Sequence, residues 1–160
     1  MDSKIQEIKL VCFRLGSDTY ALDIMRIREI VKLQKLSGLP EAPAFVEGVI
    51  NLRGSIIPVV DLRKRFGFSD INSSGESRLL ITVVAHQLVG LIVDAVTEVV
   101  TISIRDLRPP PSVVKVAGYR YLIGVCLVRD VMVMLVNLDK VFGGSVPGEL
   151  SGFDAVAGEI

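Results

Sequence analysis

The chain has 160 residues, half of them hydrophobic, with 18 basic against 18 acidic side chains and no tryptophan. That length allows one body or two small halves in close contact, with enough apolar content for a core built mostly of Val, Ile and Leu. A net charge of zero argues against nucleic acid, whose phosphates require surplus Lys and Arg, and against electrostatic docking on anionic lipid.

Taken in chain order, the N-terminal MDSKIQEIKL lacks the apolar segment of a secretory signal. LVCFRL, TYALDI, GVINL and SIIPVV follow as short runs rich in β-branched residues and bounded by Gly, Ser, Asp or Asn, which predicts strands of period two. Residues 15–19 form a turn between the first two strands, and Gly54-Ser55 divides two more. Pro43-Ala44-Phe45-Val46 is expected to make one helical turn. Asp61 and Asn137 are each placed to N-cap a short helix, LRKRF and LDKVF. The polar, Gly/Ser-rich segment 67–77 reads as a linker. RLLITVVA, LVGLIV, VTEVVTI, YLIGVCLV and VMVMLV repeat the strand pattern in the second half. His86, Asp94 and Glu98 interrupt the most hydrophobic stretch, 79–100, so it is not a membrane span. Pro109-Pro110-Pro111 forces an extended connection, and the Gly-rich stretch 143–160 is expected to be a mobile tail. Helix is scarce, so the fold class is all-β. Several strands are apolar at nearly every position, which suits barrel walls covered on both faces.

The chain also repeats itself. Residues 48–66 align without a gap on 124–142 at an offset of 76, with seven of nineteen positions identical, among them Gly48/Gly124, Arg53/Arg129, Leu62/Leu138 and Phe66/Phe142. Residues 20–31 align on 89–100 at an offset of 69, matching Leu22/Leu91, Ile27/Val96 and Glu29/Glu98. Both pairs run in the same order, so the chain is two copies of one unit, expected as a first barrel copy at about 15–68 and a second at about 78–142. The copies diverge where one has NLRG and the other LVRD.

Chemistry-bearing patterns are few. His86 sits in an expected hairpin turn without an acidic or thiol neighbour in sequence. No CxxC, HExxH, GxSxG or phosphate-cradling glycine loop is present. Asp94 and Glu98 would lie about 13 Å apart on one strand, too far for a carboxylate pair to act together. Cys12 and Cys126 lie inside apolar runs and read as buried thiols rather than a disulfide. Residues suited to protein binding stand out instead. Asn51, Arg53 and Gly54 fall between two strands, and the planar five-donor group of Arg53 can grip a carboxylate on another chain or pair internally with Glu29. Gly48 and Gly54 would allow close backbone approach. Arg129 is followed by Asp130, which is expected to hold its guanidinium within the turn.

YALDIMRIREIV, LPEAPAFVEGVINLRGSIIPVVDLRKRFG, VGLIVDAVTEV and RPPP, in this order and spacing, resemble the bacterial chemotaxis coupling proteins of the CheW family over residues 8–142. The resemblance implies two side-by-side five-stranded barrels of the Src-homology-3 kind with a few short helices. It also implies a cytoplasmic, non-catalytic adaptor without cofactor or metal, recruited to receptor arrays at the inner face of the membrane. Its partners would be the cytoplasmic tip of chemoreceptors and the regulatory domain of the histidine kinase CheA. By the same resemblance, receptor-binding positions are Ile27, Glu29, Gly48, Asn51, Arg53, Gly54, Val96 and Val99. Kinase-binding positions are Arg108, Val113, Leu33, Leu36 and Leu39. Two alternatives are a coupling protein of a related motility pathway, twitching or gliding, and an excised regulatory domain of CheA. The initiating Met, with no kinase module before it, favours a free-standing adaptor over the latter.

Overall fold

In a computed structural model that describes residues 6–42, 44–110 and 118–143, the period-two pattern resolves into ten strands and two short helices. The strands are β1 (Glu7–Leu15), β2 (Asp18–Asp23), β3 (Ile27–Lys32), β4 (Val46–Leu52), β5 (Ser55–Asp61), β6 (Arg78–Val84), β7 (Gln87–Val93), β8 (Ala95–Ser103), β9 (Leu122–Val128) and β10 (Val131–Val136). The helices are α1 (Leu62–Arg65) and α2 (Leu138–Gly143). Asp61 caps α1 by accepting from the Arg63 N–H, and Asn137 does the same for α2 from the Lys140 N–H. The expected turn at 43–46 is a turn at Ala44 and Phe45 leading into β4, while Pro43 lies outside the described residues. The tail from 144 onward and Val113 also lie outside them.

Three hairpins turn on two residues that are both left-handed: Arg53 (φ 51°) with Gly54 (φ 90°), Ala85 (φ 50°) with His86 (φ 65°), and Arg129 (φ 50°) with Asp130 (φ 65°). This turn geometry matches the natural twist of paired strands. His86 is exposed there, as its turn position implies.

The strands form two five-stranded sheets, ordered β8-β1-β2-β10-β9 (barrel one) and β3-β6-β7-β5-β4 (barrel two). The barrels therefore do not coincide with the sequence copies at about 15–68 and about 78–142. Barrel one takes β1 and β2 from the first half of the chain and β8 to β10 from the second, and barrel two takes β3 to β5 from the first half and β6 and β7 from the second. The physical reason lies in the chain path. After β2 the backbone crosses to the other barrel through a 3₁₀ turn at Ile24–Arg26 and pairs β3 with β6. After β7 it crosses back at Asp94 and pairs β8 with β1. Parallel pairs of β2 with β10 and β5 with β7 complete each sheet.

Each barrel closes through the continuation of its own edge strand. The segment after β3 bridges β4, with Ser37 N and O bonded to Val49 O and N at 2.9 and 2.8 Å. The segment after β8 bridges β9 in the same way, between Arg108 and Val125 at 2.8 Å in both directions.

Three cores result. Leu10, Cys12, Ala21, Ile102, Cys126, Val133 and Leu135 fill barrel one. Ile50, Ile57, Val59, Leu79, Ile81 and Ile92 fill barrel two. The largest core lies between the barrels and holds the aromatic side chains Phe13, Tyr20, Phe66, Tyr121 and Phe142. Phe66 at the end of α1 meets Tyr20 edge-on at 5.4 Å and stacks on Tyr121 at 5.4 Å. A core of Val, Ile and Leu thus describes the barrel interiors but not the joint, where wide flat rings span a broader gap. Both cysteines are buried and free, and burial pushes the Cys12 thiol up to about 11.

One charged group is sealed beside this joint. Arg63 is 3% exposed and Asp61 4%. The Arg63 Nε and Nη2 donate to Asp61 at 2.9 and 2.8 Å, and Nη1 donates to Asp94 at 2.9 Å. The remaining donors reach Asn72 O at 3.4 Å and Ser73 Oγ at 3.3 Å, so all five guanidinium hydrogens have acceptors. Asp94 in turn accepts from the Gly16 N–H of barrel one at 2.7 Å. Removing one partner of such a cluster leaves buried carboxylates uncompensated. Arg63→Ala is expected to cost about 3–5 kcal/mol in urea unfolding at pH 7. Lys64→Ala, which breaks the exposed pair with Glu47, should cost less than about 1 kcal/mol.

Candidate functional site

Glu29 lies on β3 and Arg53 in the β4–β5 turn, on the two edge strands of barrel two. A register shift between Ile27 and Glu29 in the pairing with β6 marks the start of β3. Across the barrel seam the Arg53 Nη1 donates to Glu29 Oε2 at 3.1 Å and Nη2 donates to Glu29 Oε1, a fork on a carboxylate. The internal pairing foreseen in sequence is therefore formed, and Arg53 remains largely exposed. Its hydrogen bonds hold the Glu29 carboxyl below the usual range, against a smaller opposing effect of burial. Asn51 is exposed and its side-chain oxygen accepts from the Gly54 N–H at 2.9 Å, which fixes the turn. A Cβ on Gly54 would meet nothing within 4 Å. Gly54 thus serves the left-handed turn, with no close approach inside the chain to explain it. Ile27 is half-buried against the inter-barrel core.

Gly48 does have a close neighbour. It is buried under the closing segment, and a Cβ there would come within 2.5 Å of Ser37 O. Gly124 stands in the same relation to Arg108 O, at 2.7 Å. The shared glycine of the two copies is where the closing segment crosses the edge strand. Leu33 and Leu36 pack on the core of barrel two and Leu39 is half-buried. The side chains this segment offers to solvent are Gln34, Lys35 and Ser37.

Val96 and Val99 stand on β8 in barrel one. Val96 packs on the inter-barrel core, as its equivalent Ile27 does, and Val99 is 54% exposed. Beside them Glu98 pairs with Arg129. Arg129 thus reaches across its seam as Arg53 does, and the expected hold by Asp130 is replaced by an acid on the opposite edge strand. Arg108 is exposed, its backbone fixed to Val125 and its Nη1 donating to Arg105 O at 2.6 Å. The segment 33–39 and the Arg108 segment are equivalent: each is the closing segment of a barrel.

Sequence reasoning passed over Leu127 (68% exposed), Val131 and Met132, an exposed apolar group next to Arg108. Their equivalents in the first copy are Asn51, Ser55 and Ile56. The polar-to-apolar changes at Asn51/Leu127 and Ser55/Val131 were the available signal.

Two outcomes are expected here. The Glu29 carboxyl carbon should titrate below the ordinary value of about 4.3 in NMR and return to it in Arg53→Ala. With the folded pKa depressed, this pair contributes fully above the unfolded value and is lost as pH falls through the folded one. Gly48→Ala should destabilise by about 1–3 kcal/mol and speed hydrogen exchange at the Ser37 and Val49 amides, whereas Gly54→Ala should cost only the left-handed backbone term of about 1 kcal/mol.

Comparison with known proteins is consistent with this geometry. The family model described as CheW-like domain matches residues 9–145. The chemotaxis protein CheW of Rhizobium meliloti is 37% identical over 134 residues, 84% of this chain and 86% of that protein. The CheW of Treponema pallidum is 36% identical over 141 residues, 86% and 83% of the two chains. Protein FrzA of Myxococcus xanthus is 29% identical over 105 residues, 66% of each. Among solved structures, the scaffolding protein TtCheW from Thermoanaerobacter tengcongensis superposes with a TM-score of 0.80 at 39% identity, covering 92% of this chain and 94% of that one. The family-model match over residues 9–145 and relatives 36–37% identical over most of both chains make this chain a member of the CheW-like domain family.

Proposed function

We infer that this chain is a non-catalytic adaptor that couples chemoreceptors to the histidine kinase CheA on the cytoplasmic side of the membrane. The observation that carries the receptor half of this reading is the Glu29–Arg53 fork, solvent-accessible at the seam and adjoining half-buried Ile27. An acid and a base beside apolar surface suit a helical hairpin tip with apolar knobs and polar flanks. Asn51 and Gly54 present the Arg53 turn, and Gly48 keeps the seam closed beneath it. Val96 and Val99 supply apolar surface from the other barrel.

The kinase half rests on the closing segments. A regulatory domain with the same double-barrel form would meet one coupling protein through the Arg108 segment, flanked by exposed Leu127, Val131 and Met132. It would meet the next through the segment 33–39, giving a head-to-tail ring. Val113 belongs to the first contact by its place after Arg108. A related motility pathway, twitching or gliding, is the second reading. The similarity to Protein FrzA is compatible with it, and identifying the kinase captured by this chain separates the two.

The repeat supplies its own control. Arg53 and Arg129 make equivalent exposed pairs, so replacing either by Ala should change melting little. Arg53→Ala is expected to weaken binding of a soluble receptor-tip fragment by about 1–3 kcal/mol in calorimetric titration, and Arg129→Ala to leave it unchanged. Equal losses in both variants would remove Arg53 from the receptor site.

A further inference from the structure

The two places where the chain crosses between barrels are equivalent under the repeat, and each is tied by an ion pair to a helix. At the β7–β8 crossover the chain supplies the acid, Asp94, and α1 the base, Arg63. At the β2–β3 crossover the chain supplies the base, Arg26, and α2 the acid, Asp139. Arg63 and Asp139 occupy the same helix position, at the repeat offset of 76. The charges have exchanged sides.

The surroundings differ as much as the signs. The Arg63 pair is sealed, with side-chain exposures of 4% and 22%. The Arg26 pair is open, at 31% and 71%. Arg26 nevertheless touches both barrels. Its Nη2 donates to Asp139 Oδ1 of barrel one at 2.8 Å, and its Nε and Nη2 donate to Val83 O of barrel two at 3.3 and 2.9 Å. The next residue is Ile27, the first of β3, and Glu29 follows two places on.

We propose that Arg26 and Asp139 are positioning residues: an adjustable brace that sets β3, and with it Ile27 and Glu29, relative to barrel one, while the buried Arg63 cluster is the fixed pivot. A desolvated pair with every donor satisfied resists opening, whereas an exposed pair exchanges with water and weakens with salt. Motion between the barrels is therefore concentrated at the β2–β3 side. The link to receptor binding rests on the function proposed above; the brace itself does not.

The test uses the full chain. Residual dipolar couplings of the strand amides, fitted separately for the two barrels, report whether they share one alignment. Wild type at low salt should give a common alignment. Arg26→Ala should separate the two, with melting nearly unchanged. The charge exchange Arg26→Asp with Asp139→Arg should restore the common alignment in part, through the regained ion pair. Lys64→Ala, which removes an exposed pair within barrel two, should not move them. A common alignment retained in Arg26→Ala, or no recovery in the exchanged pair, overturns the brace. In a second arm, a soluble receptor-tip fragment should bind Arg26→Ala up to about fivefold more weakly than wild type. Equal binding overturns the positioning role. Failure of wild type to bind the fragment overturns the receptor reading instead, and the couplings still decide the brace.

Discussion

The walls that face the joint must satisfy two hydrophobic cores at once. On β2, Tyr20 and Leu22 point into the space between the barrels while Ala21 points into barrel one. On β10, Val133 and Leu135 line the barrel and Met134 and Val136 line the joint. On β6, Leu79 and Ile81 face inward and Leu80 outward. A strand of period two with both parities apolar has no face it can give to water. The inter-barrel core is therefore as obligatory as the barrel interiors, and it is packing rather than a linker that holds the barrels together. The buried Arg63 cluster fits this picture: it lies where the crossing backbone would otherwise leave polar groups without partners.

The candidate site depends on how each barrel is closed. A five-stranded sheet leaves two edges, and here the chain itself covers the gap by laying Ser37 against Val49 and Arg108 against Val125. The glycines at 48 and 124 exist for that crossing. Above it, each β-turn projects an arginine toward an acid on the opposite edge. Closure and display are thus one piece of geometry. The copies then differ in what surrounds the pair: Asn51 and Ser55 in one, Leu127 and Val131 in the other. A shared frame with unlike surroundings can serve unlike partners.

Much of this was legible in the sequence. The repeat, the strand runs, the helix caps at Asp61 and Asn137 and the pairing of Arg53 with Glu29 follow from local pattern and spacing. Other features could not be read. Strand exchange is invisible because a crossover and a hairpin return look alike between β2 and β3. Arg63 reads as one of three basic residues on a short surface helix, yet its position after the Asp61 cap turns it inward. Asp94 appears to share a strand with Glu98, but it stands at the crossover before β8 begins. Leu127, Val131 and Met132 were hidden for the reason that the walls are stable: where both parities are apolar, periodicity cannot tell inside from outside. The receptor and kinase roles came through resemblance, since nothing in the spacing of Arg108 or Val113 identifies a partner.

The exchange of strands has a bearing on how such a molecule arises and how it folds. Half of the chain, β1 to β5, holds two strands of one barrel and three of the other, so a half cannot close either barrel. Two identical halves could complete both barrels together, about a twofold axis. The chain thus has the topology of a swapped dimer in covalent form. The same topology ties residues near the two ends into one sheet, as in the pairing of Thr19 with Val133. Barrel two, β3 to β7, has all its strands once Val93 has been made, whereas barrel one waits for β10 near the C-terminal end. Folding is expected to be slow for this size and all-or-none, since contacts so distant in sequence close large loops before they return any stability.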